Sequence, residues 1–209
     1  MSEYPKPSTG KALSGISRRD LLRSLTMSAL GSSVLQVIPL QAAEQVHKMV
    51  AQEKAHAAGA KYKPKFFSAH QYQTLSTLCD VIIPADEHSG GAIAAGAPEF
   101  IDLITSENKE YQLSLGGGIM WLDGSCADRY GHTFLESSSA QKTEILNLIA
   151  YKKNGIEDPT LCPGIEFFAF LRRLTSDGFY TSEIGIADLQ YIGNTFLKVF
   201  PGCPEPPET

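Results

Sequence analysis

The chain has no Gly-x-Ser-x-Gly elbow among its many serines, which removes the usual frame for a serine nucleophile. It also lacks a Gly-x-Gly-x-x-Gly fingerprint, so it is not expected to hold a flavin or nicotinamide by itself. The four cysteines (Cys79, Cys126, Cys162, Cys203) show no Cys-x-x-Cys or Cys-x-x-Cys-His spacing, which leaves no frame for a zinc knuckle or an attached c-type haem. No two of the five histidines (His47, His56, His70, His88, His132) stand four residues apart, as a helix-borne protease zinc site requires. Basic charge is scarce: 18 Lys and Arg stand against 23 Asp and Glu, a net charge of -5. Without a basic stripe to neutralise phosphates, nucleic acid is an unsuitable partner. Long apolar runs are missing too. Leu25–Leu40 is too short and too rich in Ser and Thr for a bilayer span, which needs about 20 predominantly apolar residues.

What is present begins with an address. Ser17-Arg18-Arg19-Asp20-Leu21-Leu22 leads directly into Leu25–Leu40, which is mildly apolar and free of acid. A polar start carrying Lys6 and Lys11, a paired arginine (Arg18, Arg19) and a weakly apolar stretch have the layout of a twin-arginine export signal. That route carries folded cargo, so a loaded partner can cross with the chain that bears the signal, and the expected destination is the periplasm. Leu40-Gln41-Ala42 and Gln41-Ala42-Ala43 are approximate small-residue cleavage sites. Cleavage after Ala43 would remove five basic and two acidic residues, leaving 13 basic against 21 acidic. Retention of the signal as an anchor is the other outcome. A length of 209 residues suits one domain with a proper core plus appendages, and a hydrophobic content of 43% is ordinary for such a body.

Helical periodicity runs through the rest of the chain, with no alternating strand series and no repeat. Glu44–Gly59 favours helix by composition, but Val46, Met49 and Val50 form only a narrow stripe, so it reads as a linker or partner-docking helix rather than core. Ser68-Ala69-His70-Gln71 and Ser138-Ser139-Ala140-Gln141 are capping boxes, each opening a helix. The first carries Leu75, Leu78, Cys79 and Ile82 and stops before Pro84; the second carries Ile145, Leu148 and Ile149. Ala97-Pro98-Glu99 starts a helix with proline in its first turn, burying Phe100, Ile101 and Ile104. Ser106–Tyr130 reads as a longer helix striped by Leu115, Ile119, Leu122 and Cys126. Gly116-Gly117-Gly118 interrupts it, either as a kink or where another backbone comes close. Gly164–Thr175, with Phe167, Phe168, Phe170, Leu171 and Leu174, is apolar enough to be central, and Ser176–Gly185 reads as turn-rich. The expected fold is all-α: an irregular bundle of about five to seven helices with an N-terminal signal helix and an extended Pro-rich tail. The expected divisions are 1–43 signal, 44–65 linker or docking helix, 66–200 helical domain and 201–209 tail.

Few residues suggest chemistry. Asp86, Glu87 and His88 sit in a glycine-rich turn that could begin a metal or acid–base cluster, although such a trio is more often a solvated loop. A stand-alone periplasmic metal-binding protein or enzyme using that turn is the alternative function. Cys79 and Cys126 fall on apolar stripes and read as core. Cys162 and Cys203 lie beside prolines in a compartment that permits disulfides, where either could be bridged within the chain or to a partner. Phe179, Tyr180 and Tyr191 lie outside the clear helical stripes and are candidate anchors for a partner.

Four phrases in order carry a resemblance. They are Arg18-Arg19-Asp20-Leu21-Leu22, Leu78-Cys79-Asp80-Val81-Ile82-Ile83-Pro84-Ala85-Asp86 with Gly90-Gly91-Ala92, Gly96-Ala97-Pro98-Glu99-Phe100-Ile101-Asp102, and Thr175-x-x-Gly178-Phe179-Tyr180-Thr181-Ser182-Glu183-Ile184-Gly185 with Tyr191-x-Gly193-Asn194. Together they resemble the gluconate 2-dehydrogenase subunit 3 family over roughly Phe66 to Cys203. The resemblance implies a noncatalytic small subunit, with no catalytic, cofactor or metal residues to assign. Its implied partner is an FAD-dependent dehydrogenase of the glucose–methanol–choline type that oxidises a sugar or polyol. A multihaem c-type cytochrome carrying haem c would be a third subunit. The small subunit would escort the flavoprotein through the twin-arginine translocase and support its folding.

Overall fold

A computed structural model of the chain describes residues 40–56 and 62–191. The expected signal helix and Pro-rich tail lie outside the described residues. Those that are described form no strand, and the all-α expectation holds. Among the described residues six helices have ten residues or more: α1 (Leu40–His56), α2 (Ala69–Ile82), α4 (Ala97–Ser106), α6 (Gly117–Tyr130), α7 (Ser139–Ile149) and α9 (Cys162–Tyr180). Shorter pieces join them: α3 (Gly91–Ala94), α5 (Lys109–Tyr111), α8 (Asn154–Glu157) and α10 (Glu183–Asp188). A π-helical turn, Gln112–Gly116, fuses α5 to α6, and a 3-10 turn, Pro159–Leu161, leads into α9.

Both capping boxes form as their sequences require. Ser68 Oγ accepts from Gln71 N–H at 3.3 Å while Ser68 N–H donates to Gln71 Oε1 at 3.1 Å. Ser138 and Gln141 repeat the exchange at 3.3 and 2.8 Å. Each box satisfies two donors that a helix start otherwise leaves orphaned. After α2 the chain turns sharply at Ile83-Pro84, and Gly91, at φ +67°, lets the backbone fold back so that Ala92 N–H reaches Ile83 O at 2.8 Å. A Cβ on Gly91 would meet Ala85 N at 2.5 Å, so φ and space both demand glycine there.

The centre of the bundle is α9, packed against α2, α4, α6, α7 and α10. Its Ile165, Phe168, Leu171 and Leu174 are buried together with Leu75 and Leu78 of α2, Phe100 and Ile101 of α4 and Ile119 and Leu122 of α6. Buried hydroxyls on these helices bond back to their own backbone, Thr105 to Ile101 O at 2.6 Å and Thr175 to Leu171 O at 2.9 Å, which removes the cost of hiding them.

Several expectations need correction. The stretch from Glu44 is core, not linker: Ala43 and Val46 have no exposed surface and Met49 and Val50 are 8% and 5% exposed, all turned onto the bundle beside α4. A narrow stripe suffices because α4 presents an almost wholly buried surface for it to cover. Ser106–Tyr130 is not one helix, since α4 ends at Ser106 and Asn108 caps a new start through Glu110 and Tyr111 N–H. The α-helical pattern of this second helix gives way to the π-helical turn that ends at Gly116, and what approaches the glycines is a side chain rather than a backbone. A Cβ on Gly118 would lie 2.0 Å from the Phe167 ring, and one on Gly164 would lie 2.2 Å from the Trp121 ring. Each helix thus lays an aromatic ring over the other's glycine, which draws α6 and α9 close. Nor is Ser176–Gly185 turn-rich throughout, because α9 continues to Tyr180 and only then turns into α10. Tertiary packing on α4 and α2 outweighs the helix-weakening residues Asp177 and Gly178.

Candidate docking face

The carboxyl group of Asp102, without exposed surface, accepts four hydrogen bonds. Its Oδ1 accepts from the backbone N–H groups of Phe66 and Phe67, both at 3.1 Å, and its Oδ2 accepts from Lys65 N–H at 2.7 Å and Tyr62 O–H at 2.9 Å. One side chain on α4 therefore straps down the connector that runs from α1 to α2. Burial, reinforced by Asp102, pushes the Tyr62 phenol far above its ordinary range. Sequence reading placed Asp102 at the end of a motif and missed this role. The signal was there in an acid set within an otherwise apolar stretch, Phe100-Ile101-Asp102-Leu103-Ile104.

Asp86, Glu87 and His88 do not converge. Asp86 Oδ1 accepts from His88 and Ser89 N–H, each at 2.8 Å, so the carboxylate closes its own turn. Those two bonds hold Asp86 below the usual carboxylate range. Among the described residues no three His, Cys, Asp or Glu side chains are grouped to hold a metal. Cys79 is fully buried 3.5 Å from Thr175 Oγ1, and burial pushes its thiol up to about 12, which makes it an inert core residue. Cys126 is buried on α6, and burial raises its thiol as well. Cys162 opens α9 at the surface, whereas Cys203 lies outside the described residues, as do Arg18 and Arg19.

The three candidate anchor aromatics divide. Phe179 is 1% exposed and sits inside the fold, so its ring is not offered to a partner; as the penultimate residue of α9 it is turned inward by the helix. Tyr180 and Tyr191 are 43% and 48% exposed. Near Tyr180, a cleft of about 430 Å³ separates α1 from the Ala94–Gly96 turn and the start of α10. His47 of α1 lines it, with Nε2 3.0 Å from Thr181 Oγ1 and its ring stacked on Phe100 at 5.0 Å. Burial lowers the His47 pKa, partly opposed by the Gly178 backbone and by Glu183. Lys54 of α1 pairs with Glu99 of α4 at 2.7 Å.

A second groove, of about 580 Å³, runs between α6 and α9. Leu113, Gly117 and Trp121 form one side, Pro163, Phe167 and Phe170 the other, with Glu166 on the lining. Leu113 and Met120 stand 78% and 69% exposed along the same helix. Beyond Phe170 the groove borders a polar pair. The Arg173 guanidinium lies over the Phe170 ring at 5.0 Å, and Tyr111 meets that ring edge-on. Arg173 Nε and Asp177 Oδ2 are both buried without a hydrogen-bond partner. Burial raises the Asp177 carboxyl, against the pull of Arg173. Unpaired buried polar atoms cost free energy, so a pair of them beside exposed apolar residues suits a face completed by another chain. Sequence periodicity found the buried stripe of α6 and overlooked this opposite, exposed one.

Comparison with known proteins adds one match. The model of the family described as gluconate 2-dehydrogenase subunit 3 matches residues 69–202, which runs from the first residue of α2 to beyond the last described residue. No curated protein and no solved structure gave a match.

Proposed function

The chain belongs to the gluconate 2-dehydrogenase subunit 3 family, small subunits of a dehydrogenase complex, and from that premise we propose that it is the noncatalytic escort of a larger flavoprotein. The partner is an FAD-dependent dehydrogenase of the glucose–methanol–choline type acting on a sugar or polyol, with a multihaem c-type cytochrome as a third subunit. The chain supplies the twin-arginine signal of Arg18 and Arg19, takes the folded flavoprotein through the translocase to the periplasm, and stabilises it there.

The observation that carries this reading is the α6–α9 groove. It combines exposed Leu113 with half-buried Trp121 and Phe170, and it ends beside Arg173 and Asp177, whose Nε and Oδ2 atoms lack hydrogen-bond partners. Apolar anchors with a polar edge are what a protein–protein interface presents. Three of the chain's carboxylates are meanwhile committed to structure: Asp102 straps a connector, Asp86 closes a turn, and Asp123 receives both His70 at 2.7 Å and Phe134 N–H at 3.1 Å. Tyr180 and Tyr191, both partly exposed, are further candidate contacts.

The test is export in trans. Replacing Arg18 and Arg19 together by lysine should retain both this chain and the flavoprotein in the cytoplasm, because one signal serves two proteins. Dehydrogenase activity that still reaches the periplasm in the double variant would refute the escort role.

A further inference from the structure

Leu40 closes the apolar run that follows Arg18-Arg19 and is also the first residue of α1. The small-residue sites at which such a signal would be cut, Leu40-Gln41-Ala42 and Gln41-Ala42-Ala43, therefore lie within a helix packed on the core. Ala43 has no exposed surface, and neither has Val46 at the next turn.

A signal peptidase needs the residues before its cut unwound, with their small side chains seated in its own pockets. Here the backbone is helical and the Ala43 methyl is already seated in this chain's core. Cleavage would require the start of α1 to unwind and withdraw, and proteolysis of a folded chain proceeds from such opened states. The opening is opposed further along α1 by Met49 and Val50 in the core, by His47 against Thr181, and by Lys54 paired with Glu99. Since the twin-arginine route moves folded chains, α1 is docked before any peptidase is met.

We infer that the export signal of this chain is not removed: the docking of α1 shields the cleavage sites, and the exported protein keeps residues 1–43. The inference rests on the export reading above. A further Ala-x-Ala triplet, Ala55-His56-Ala57, falls at the other end of α1. A cut there would strip Val46, Met49 and Val50 out of the core, and four charged residues (Glu44, Lys48, Glu53, Lys54) separate it from the apolar run.

The test isolates the chain from the exported fraction in its native complex and reads its intact mass and N-terminal sequence. The expected result is the full chain, less at most the initiating methionine. A chain beginning at Glu44 or at Ala58 overturns the inference. Gln41→Ala separates docking from sequence. Gln41 is exposed, so the change leaves the core untouched while completing an Ala-x-Ala triplet that ends at Ala43. This variant should stay uncut as well. A new N-terminus at Glu44 in the variant would mean that sequence, not docking, protects the native chain, and would overturn the inference. Cell fractionation tells the two readings apart: full-length chain confined to the cytoplasm refutes export itself, and the inference falls with it.

Discussion

Removing the carboxyl group of Asp102 should be the most damaging polar substitution in the described fold. In Asp102→Ala, four donors lose their acceptor: Tyr62 O–H and the N–H groups of Lys65, Phe66 and Phe67. A hydrogen bond to a charged partner contributes about 1.5–3 kcal/mol, and a buried donor left unpaired costs about 1–3 kcal/mol. The four do not count equally. Lys65 is exposed and Tyr62 and Phe66 are half covered, so water can replace part of what they lose, whereas Phe67 is 4% exposed and cannot be served that way. Counting Phe67 in full and the others in part gives a loss of about 3–5 kcal/mol. For a chain of this size that lowers the melting temperature by roughly 6–20 °C. Asp102→Asn should fall in between, because the amide keeps one acceptor while its NH2 group faces donors. Thermal or urea unfolding measures the total. Amide hydrogen exchange supplies the local signature: Lys65, Phe66 and Phe67 should exchange faster in Asp102→Ala than in the native protein, out of proportion to the global loss. If Asp102→Ala and the surface variant Asp86→Ala lower stability equally, the strap is not what the geometry makes it.

Adjacent glycines on α6 should respond in opposite directions. Gly117 has nothing within 4 Å of an added Cβ and sits at φ -63°, so Gly117→Ala should raise stability by about 0.5–1 kcal/mol. Gly118→Ala would drive a methyl into the Phe167 ring and should lower it by about 1–3 kcal/mol; parallel melting curves of the pair check both signs. Acid should weaken the protein in two steps. The folded-state pKa of His47 is lowered from 6.5, so its contribution is complete above 6.5 and is lost as pH falls below that value while the unfolded chain takes up the proton. Asp86, Glu136 and Asp158 also have lowered values, so their share is present above the ordinary carboxylate range and is lost only in strong acid. Melting temperatures from about pH 7.5 to about pH 5 should flatten in His47→Gln, and an unchanged slope would refute the first step. Leu113→Asp, at a position 78% exposed, should weaken copurification with the flavoprotein while leaving the melting temperature of the isolated chain within about 1 °C. A loss of stability without loss of the partner would remove the α6–α9 groove from the interface.

What could be read from the sequence is what local chemistry dictates. Ser68 with Gln71 and Ser138 with Gln141 start their helices through bonds that span three residues, and Pro84 stops one by its own ring. The buried stripes of Leu75–Ile82, Leu115–Cys126 and Phe167–Leu174 follow from 3.6-residue periodicity, which needs no partner to be visible. The phrases around Ile83-Pro84, Ala97-Pro98 and Gly178-Phe179 carried the family. Tertiary structure decided everything that depends on two distant segments meeting. Whether Glu44–His56 docks or dangles turns on α4 offering it a surface, and α4 lies some forty residues downstream. Gly118 is glycine because Phe167 rests on it, and Asp102 is buried because a connector thirty-five residues earlier brings it three N–H groups. Phe179 and Tyr180, neighbours in sequence, end on opposite sides of the surface because consecutive residues of a helix point about 100° apart, and only the packing around α9 determines which of them faces in.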